Sequence, residues 1–156
     1  MKQLKNVLFP SNLSSESFSV FKKFIAGHGS SISEITILSK VLRPINAFAE
    51  SSITAMGGSW IAPEQYLERE NKHRDDLGKE WVSYAESQGV KAKVVVDDEL
   101  GDVSDSVDKY AKENKQDMIV VGSFATATEA FFIGSIARQV VRQADIPVLV
   151  YHNKSN

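Results

Sequence analysis

The chain has 156 residues, with 18 basic and 20 acidic side chains and no cysteine. This length fits one domain, the near-neutral charge argues against a nucleic-acid-binding protein, and the lack of cysteine excludes disulfides, catalytic thiolates and zinc–cysteine sites. The first five residues lead directly into an apolar strand, with no signal segment before it, which predicts a cytoplasmic protein without a membrane partner. We therefore expect a single domain over residues 1–156.

Short apolar runs alternate with amphipathic stretches along the whole chain. The runs predict five strands covered on both faces, at residues 6–9, 34–38, 91–96, 118–121 and 147–150. Four intervening stretches repeat apolar residues at helical spacing. This alternation predicts an α/β fold, a single doubly wound domain built on a parallel sheet.

The helical stretches have recognisable limits and apolar faces. The first ends in Gly27-His-Gly29, which predicts a stop in the left-handed conformation. The second is long and polar, from about residue 64 to residue 88. The last should bury its regularly spaced apolar residues, which are Ile136, Ala137, Val140, Val141 and Ala144.

Residues 43–63 interrupt the alternation. They contain two prolines and the pair Gly57-Gly58, together with apolar residues such as Trp60. Because a glycine pair prevents one stable helix, we expect an irregular excursion after the second strand. Its apolar side chains require cover, and two arrangements stay open: packing against the domain or a second subunit, and a lid over a ligand crevice.

The C-terminal stretch carries spaced glycines between two apolar strands. Asp117-Met-Ile-Val-Val-Gly122 leads in, Gly134-Ser135 opens a helix, and Pro147-Val-Leu-Val150 follows. This pattern resembles the universal stress protein family, whose members carry Gly-x-x-Gly, nine residues, and then Gly-Ser or Gly-Thr. The rest of the chain agrees with the resemblance, which implies an adenine nucleotide alpha hydrolase-like, Rossmann-like domain with five parallel strands in the order 3-2-1-4-5.

The resemblance also implies where a nucleotide would bind, between the first and fourth strands. Nucleotide-binding members of the family have an aspartate where this chain has Asn12 and place an aliphatic residue against adenine where it has Val41. The positions that resemble the family's phosphate loop are Gly122, Ser123, Ala125, Gly134 and Ser135. Alanine at 125 replaces the second glycine, and the loop is one residue short.

Two functions stay open because of these departures. In the first, the chain is a homodimeric regulatory or stress-response binding module, not an enzyme, with weakened or lost ATP binding, no required cofactor and unknown protein partners. In the second, it binds ATP or AMP with Mg through a rearranged loop and hydrolyses phosphate slowly at most. The resemblance implies a dimer formed by the last strand, residues 147–151, with Val148, Val150 and Tyr151 suited to the contact.

Other chemistries find little support in the sequence. The three histidines lack a paired ligand spacing, and the acidic run Asp97-Asp-Glu99 does not match a calcium loop. Neither Ser123 nor Ser135 lies in a Gly-x-Ser-x-Gly hydrolase motif. We therefore expect no catalytic residue and no metal site.

Overall fold

The computed structural model describes residues 4–42, 63–124 and 135–153, so the predicted excursion lies outside the described residues except for Pro63. One parallel sheet has the strand order β3-β2-β1-β4-β5. Its strands are β1 (Asn6–Pro10), β2 (Glu34–Lys40), β3 (Lys91–Asp97), β4 (Met118–Phe124) and β5 (Val148–Asn153). The predicted α/β fold and the order 3-2-1-4-5 are confirmed.

In the described ranges, four α-helices cover the two faces of the sheet. They are α1 (Ser15–His28), α2 (Pro63–Ser87), α3 (Val103–Glu113) and α4 (Ser135–Gln143). Apolar residues of α1 and α2 share one buried cluster with the sheet, and those of α3 and α4 share another on its opposite face. This is the doubly wound arrangement, in which two separate cores lie on either side of one buried sheet.

Aromatic side chains fill the core beneath α1 and α2. The ring of Phe21 lies 5.4 Å from that of Phe9 on β1 and 4.9 Å from that of Trp81 on α2. All three side chains are almost completely buried. These contacts link the first strand to both helices on that face and fix how α2 crosses the sheet.

The end of α1 differs from its prediction. Gly29 has a φ of −57°, which is right-handed, and the chain continues as a short 3-10 turn over Gly29–Ser31. A Cβ atom added to Gly29 would lie 3.1 Å from Cγ2 of Val90. The glycine therefore permits close packing against the residue before β3, and the predicted left-handed stop is wrong.

Two further expectations for the C-terminal unit need correction. β4 continues through Gly122 to Phe124 instead of ending at the glycine. On α4, Ala137 and Val140 are buried, whereas Ile136 and Val141 are 45% and 48% exposed. A nine-residue helix lying on a sheet covers only a narrow stripe, and these two residues flank that stripe.

Within the described ranges, none of the helices is long and apolar enough to cross a membrane.

Candidate functional site

The candidate site lies where the direction of strand order reverses. β1 pairs in parallel with β2 on one side and with β4 on the other. Because all five strands are parallel, the segments that follow β1, β2 and β4 leave the sheet at the same edge. In open α/β sheets, this reversal point is where neighbouring loops part and leave room for a ligand.

The turn after β1 uses its polar atoms within itself. Oδ1 of Asn12 accepts a hydrogen bond from the backbone N–H of Ser14, at 3.0 Å. The hydroxyl of Ser14 in turn accepts from the N–H of Ser17 and caps α1, while the hydroxyl of Ser11 accepts from the N–H of Leu13. Leu13 is held at a φ of 62°, a left-handed conformation that residues other than glycine seldom adopt. The carbonyl oxygen of Asn12 is therefore already engaged by its own turn.

Val41 is buried at the end of β2. Its side chain is 1% exposed, and its backbone N–H donates to the carbonyl oxygen of Asp97 at 2.8 Å. This hydrogen bond extends the pairing of β2 and β3 by one residue beyond Lys40. As a result, Val41 presents neither its N–H nor its side-chain surface at the edge of the sheet.

The remaining predicted residues belong to the segment from β4 to α4. Gly122 and Ser123 lie inside β4, opposite Tyr151 and His152 of β5, and Ser123 is 1% exposed. Ser135 is the first residue of α4. Ala125 and Gly134 lie outside the described residues. The structure thus brings β1 and β4 together as predicted, but it places Gly122 and Ser123 in a strand and not in a loop.

A polar cluster that the sequence reasoning missed lies beside Val41. Lys40 and Asp97 are opposite each other in the register of β2 and β3, and Nζ of Lys40 is 3.2 Å from Oδ2 of Asp97. The same ammonium group donates to the carbonyl oxygen of Glu99, and the hydroxyl of Ser106 donates to the Asp97 carboxylate. The side chain of Lys40 is only 5% exposed. This Lys40 cluster fixes the turn between β3 and α3.

The electrostatics of the cluster favour the charged form of Asp97. Burial would raise the pKa of the Asp97 carboxyl, but hydrogen bonds from Ser106, from the N–H of Glu99 and from Lys40 outweigh it and hold that pKa below its usual 3.8. Because the charges of Lys40 and Asp97 compensate each other, the cluster is a structural ion pair and offers no uncompensated charge to a ligand.

The cluster continues onto α2. A guanidinium nitrogen of Arg74 donates to the hydroxyl of Ser39 at 2.6 Å, and Nε of Arg74 lies 3.2 Å from the carboxylate of Glu70. Asn71 donates to the carboxylate of Asp98 at 3.0 Å. These contacts fasten α2 to the ends of β2 and β3. The sequence contains a signal for this cluster, because Lys40 and Asp97 each follow an apolar run at the carboxyl end of a predicted strand.

The acidic residue before α3 caps the start of that helix. Asp102 is its N-cap, and Oδ1 of Asp102 accepts from the N–H of Asp105 at 2.8 Å and from the hydroxyl of Ser104. The hydrogen bond from Asp105 holds the pKa of Asp102 below its usual value. In the part of the chain that the structure describes, no three His, Asp or Glu side chains are placed to hold a metal ion.

The sequence profile described as the Universal stress protein family matches residues 3–152. The chain belongs to the universal stress protein family. The match covers nearly all of the chain and agrees with the observed strand order. None of the curated proteins compared with this universal stress protein matches it.

Solved structures of universal stress proteins share the fold. The protein UspA from Lactobacillus plantarum superposes with a TM-score of 0.73 at 19% identity, covering 97% of this chain and 99% of that one. A universal stress protein in complex with cAMP gives a TM-score of 0.59 at 19% identity, with 98% and 100% of the two chains covered. One from Archaeoglobus fulgidus in complex with dAMP gives 0.60 at 16% identity, with 97% and 99% covered.

Proposed function

We propose that this universal stress protein is a homodimeric regulatory binding module in which adenine nucleotide binding is weakened or lost. The proposal rests on the burial and backbone hydrogen bonding of Val41, the position at which the resemblance places the adenine contact. Its side chain is 1% exposed and its N–H is bonded to the Asp97 carbonyl. Adenine could contact this side chain only if the surroundings that bury it moved apart.

Asn12 supports the same proposal. An aspartate at this position would bring a negative charge, whereas asparagine brings none and also presents an amide donor. The Asn12 carbonyl oxygen accepts from Ser14 within the turn. A ribose hydroxyl would therefore meet a neutral amide whose oxygen already accepts one hydrogen bond from the turn.

We propose that β5 carries the homodimer contact. In the described sheet β5 lies at one edge. The carbonyl oxygen of Pro147 accepts a hydrogen bond from the N–H of Ile119 on β4. The backbone groups of residues 147, 149 and 151 therefore face β4, and those of Val148 and Val150 face away. These outward groups suit antiparallel pairing with a second copy about a two-fold axis. Further protein partners and the cytoplasmic location stay predictions.

A second function, binding of ATP or AMP with Mg, is favoured by the two complexes. Universal stress proteins of this fold bind cAMP and dAMP. α4 begins at Ser135, and a helix start offers backbone N–H groups and partial positive charge to a phosphate. In this alternative the shortened loop closes differently around the phosphates.

Thermal unfolding with AMP, cAMP, ATP and Mg-ATP separates the two functions. A ligand at 100 times its dissociation constant stabilises the folded state by about 2.7 kcal/mol, which raises the melting temperature by several degrees. We expect no rise with millimolar nucleotide. A rise that disappears in Gly134→Asp, which adds a charge at the predicted phosphate position, would establish the second function and refute the first.

Light scattering tests the dimer. Proline at Val150 removes an outward N–H but no hydrogen bond to β4, so Val150→Pro should lose the β5 dimer while it keeps its fold. Leu149→Pro is the matched control, since it removes an N–H that faces β4 and should destabilise the sheet. A wild-type protein that is monomeric at micromolar concentration would contradict the proposed dimer.

A further inference from the structure

The last part of β4 is held in the sheet mainly by β5. In the described register, β1 pairs with β4 at Met118 and Ile119, whereas β5 pairs with β4 from Ile119 to Phe124. β1 ends at Pro10, and proline has no N–H with which to continue the pairing. Residues 122–124 therefore depend on β5 for their place in the sheet.

Tyr151 lies in the middle of this pairing. It is opposite Gly122 in the register, and its backbone groups face β4 as those of Pro147 do. In parallel pairing, the N–H and the carbonyl of such a residue bond to the residues before and after its partner, which here are Val121 and Ser123. The carbonyl oxygen of Tyr151 therefore accepts from the N–H of Ser123, which is itself 1% exposed.

The ring of Tyr151 is anchored on α1. Its centroid lies 6.1 Å from that of Phe24 and 6.2 Å from that of His28, and both contacts are edge-to-face. Phe24 is completely buried in the core beneath α1. Edge-to-face contacts stabilise aromatic pairs beyond the burial of their surface. A packed helix thus anchors the residue whose backbone holds Ser123.

We propose that Tyr151 is a positioning residue, which through its contacts with α1 holds Gly122 and Ser123 in β4 and keeps the Ser123 N–H from a phosphate. This inference rests on the proposed function, since the resemblance alone makes Gly122 and Ser123 phosphate positions. It deepens that function by naming the side chain that keeps the two residues in a strand. The opposing possibility is that the backbone pairing with β5 suffices without the ring.

Amide hydrogen exchange followed by NMR tests this role without any nucleotide. In Tyr151→Ala, the Ser123 amide should exchange about tenfold faster relative to the Val121 amide, because only the end of β4 loses its anchor. The Val121 amide, which faces β5 beside Leu149, is the internal reference, since a loss of global stability accelerates both amides alike. Tyr151→Phe keeps the ring and should restore the wild-type ratio of the two rates.

Tyr84→Ala is the matched control. Tyr84 belongs to α2, is also partly buried, and makes an edge-to-face contact with Phe18 of α1 at 6.2 Å. Its removal should leave the ratio of the Ser123 and Val121 rates at the wild-type value. Tyr151→Leu, which keeps apolar bulk without an aromatic edge, provides the same comparison if Tyr151→Ala does not fold.

A wild-type ratio in Tyr151→Ala, or in Tyr151→Leu where that variant takes its place, overturns the proposal. An equal rise of the ratio in Tyr84→Ala overturns it as well, because the effect would then not be specific to the β5 anchor. Neither result bears on the proposed function, which fails only if the wild-type protein binds a nucleotide or stays monomeric. The two failures are therefore distinguishable.

Discussion

The backbone N–H of Val41 donates a 2.8 Å hydrogen bond to the carbonyl oxygen of Asp97 and joins the ends of β2 and β3. The Asp97 side chain meanwhile pairs with Lys40 and accepts from Ser106. Asp97 therefore fixes both Val41, where adenine is expected, and the turn that leads into α3. The stability of this corner and the accessibility of Val41 are linked through Asp97.

The first prediction concerns pH and Asp97. The pKa of this carboxyl is lowered on folding, so its contribution to stability is present above its usual value of 3.8 and is lost as pH falls through the lower folded pKa. Asp97→Asn should lower the free energy of unfolding by about 1–3 kcal/mol at pH 7. In urea titrations the difference from wild type should shrink below pH 3.8.

Asp76→Asn is the control for this prediction, because the Asp76 side chain is 55% exposed and pairs only with exposed Lys79 among the ion pairs described. It should change the free energy of unfolding by less than about 0.5 kcal/mol at pH 7. A difference between Asp97→Asn and wild type that grows as the pH is lowered would contradict the account.

The second prediction concerns Gly78 in α2. A Cβ atom at this position would lie 2.5 Å from Cγ2 of Val94, which no ordinary contact allows. Gly78→Ala gains up to about 1 kcal/mol of helix propensity but overpacks the contact at a cost of about 1–3 kcal/mol. We expect a net loss of stability in wild type and a neutral or favourable effect in the Val94→Ala background, measured by chemical denaturation.

Gly89 supplies the matched control. It has a φ of +80° and open space around its missing Cβ, so Gly89→Ala is unfavourable for its backbone conformation alone. Its cost, about 1 kcal/mol, should be the same with and without Val94→Ala. Equal effects of Val94→Ala on both glycine substitutions would refute the proposed contact.

The third prediction concerns the start of the sheet. Oδ2 of Asp117 accepts hydrogen bonds from the N–H groups of Lys5 and Asn6, at 3.0 and 2.8 Å, and so fastens the beginning of β1 to the beginning of β4. Asp117→Ala should lower the free energy of unfolding by about 1–3 kcal/mol. Asp145→Ala, which removes an exposed ion pair with Lys112, should have an effect below about 0.5 kcal/mol. If the two variants unfold at the same urea concentration, the hydrogen bonds to Asp117 do not stabilise the fold.

Much of the fold was predictable because burial on both faces of a sheet leaves a clear mark in the sequence. Every predicted strand is present, and each begins within one residue of its predicted start. The ends of the strands were harder to predict, since polar residues such as Lys40 and Asp97 continue the backbone pairing after the apolar run stops. Gly122 stays in β4 for the same reason, because β5 runs alongside it.

The site was harder to predict than the fold. Sequence alone placed Asn12 and Val41 near the reversal of strand order, but it could not reveal that the side-chain oxygen of Asn12 and the N–H of Val41 are hydrogen-bonded within the protein. Those hydrogen bonds join Asn12 to Ser14 and Val41 to Asp97, and the second spans 56 residues of sequence. The Gly29 contact with Val90 escaped prediction in the same way, because it depends on how α1 approaches another segment.

Calorimetric titration of the purified protein with Mg-ATP and with AMP tests the central claim most directly, since it measures whether the protein binds an adenine nucleotide. We predict no saturable heat up to millimolar nucleotide. A single saturable site with a dissociation constant in the micromolar range, lost in Gly134→Asp, would contradict it.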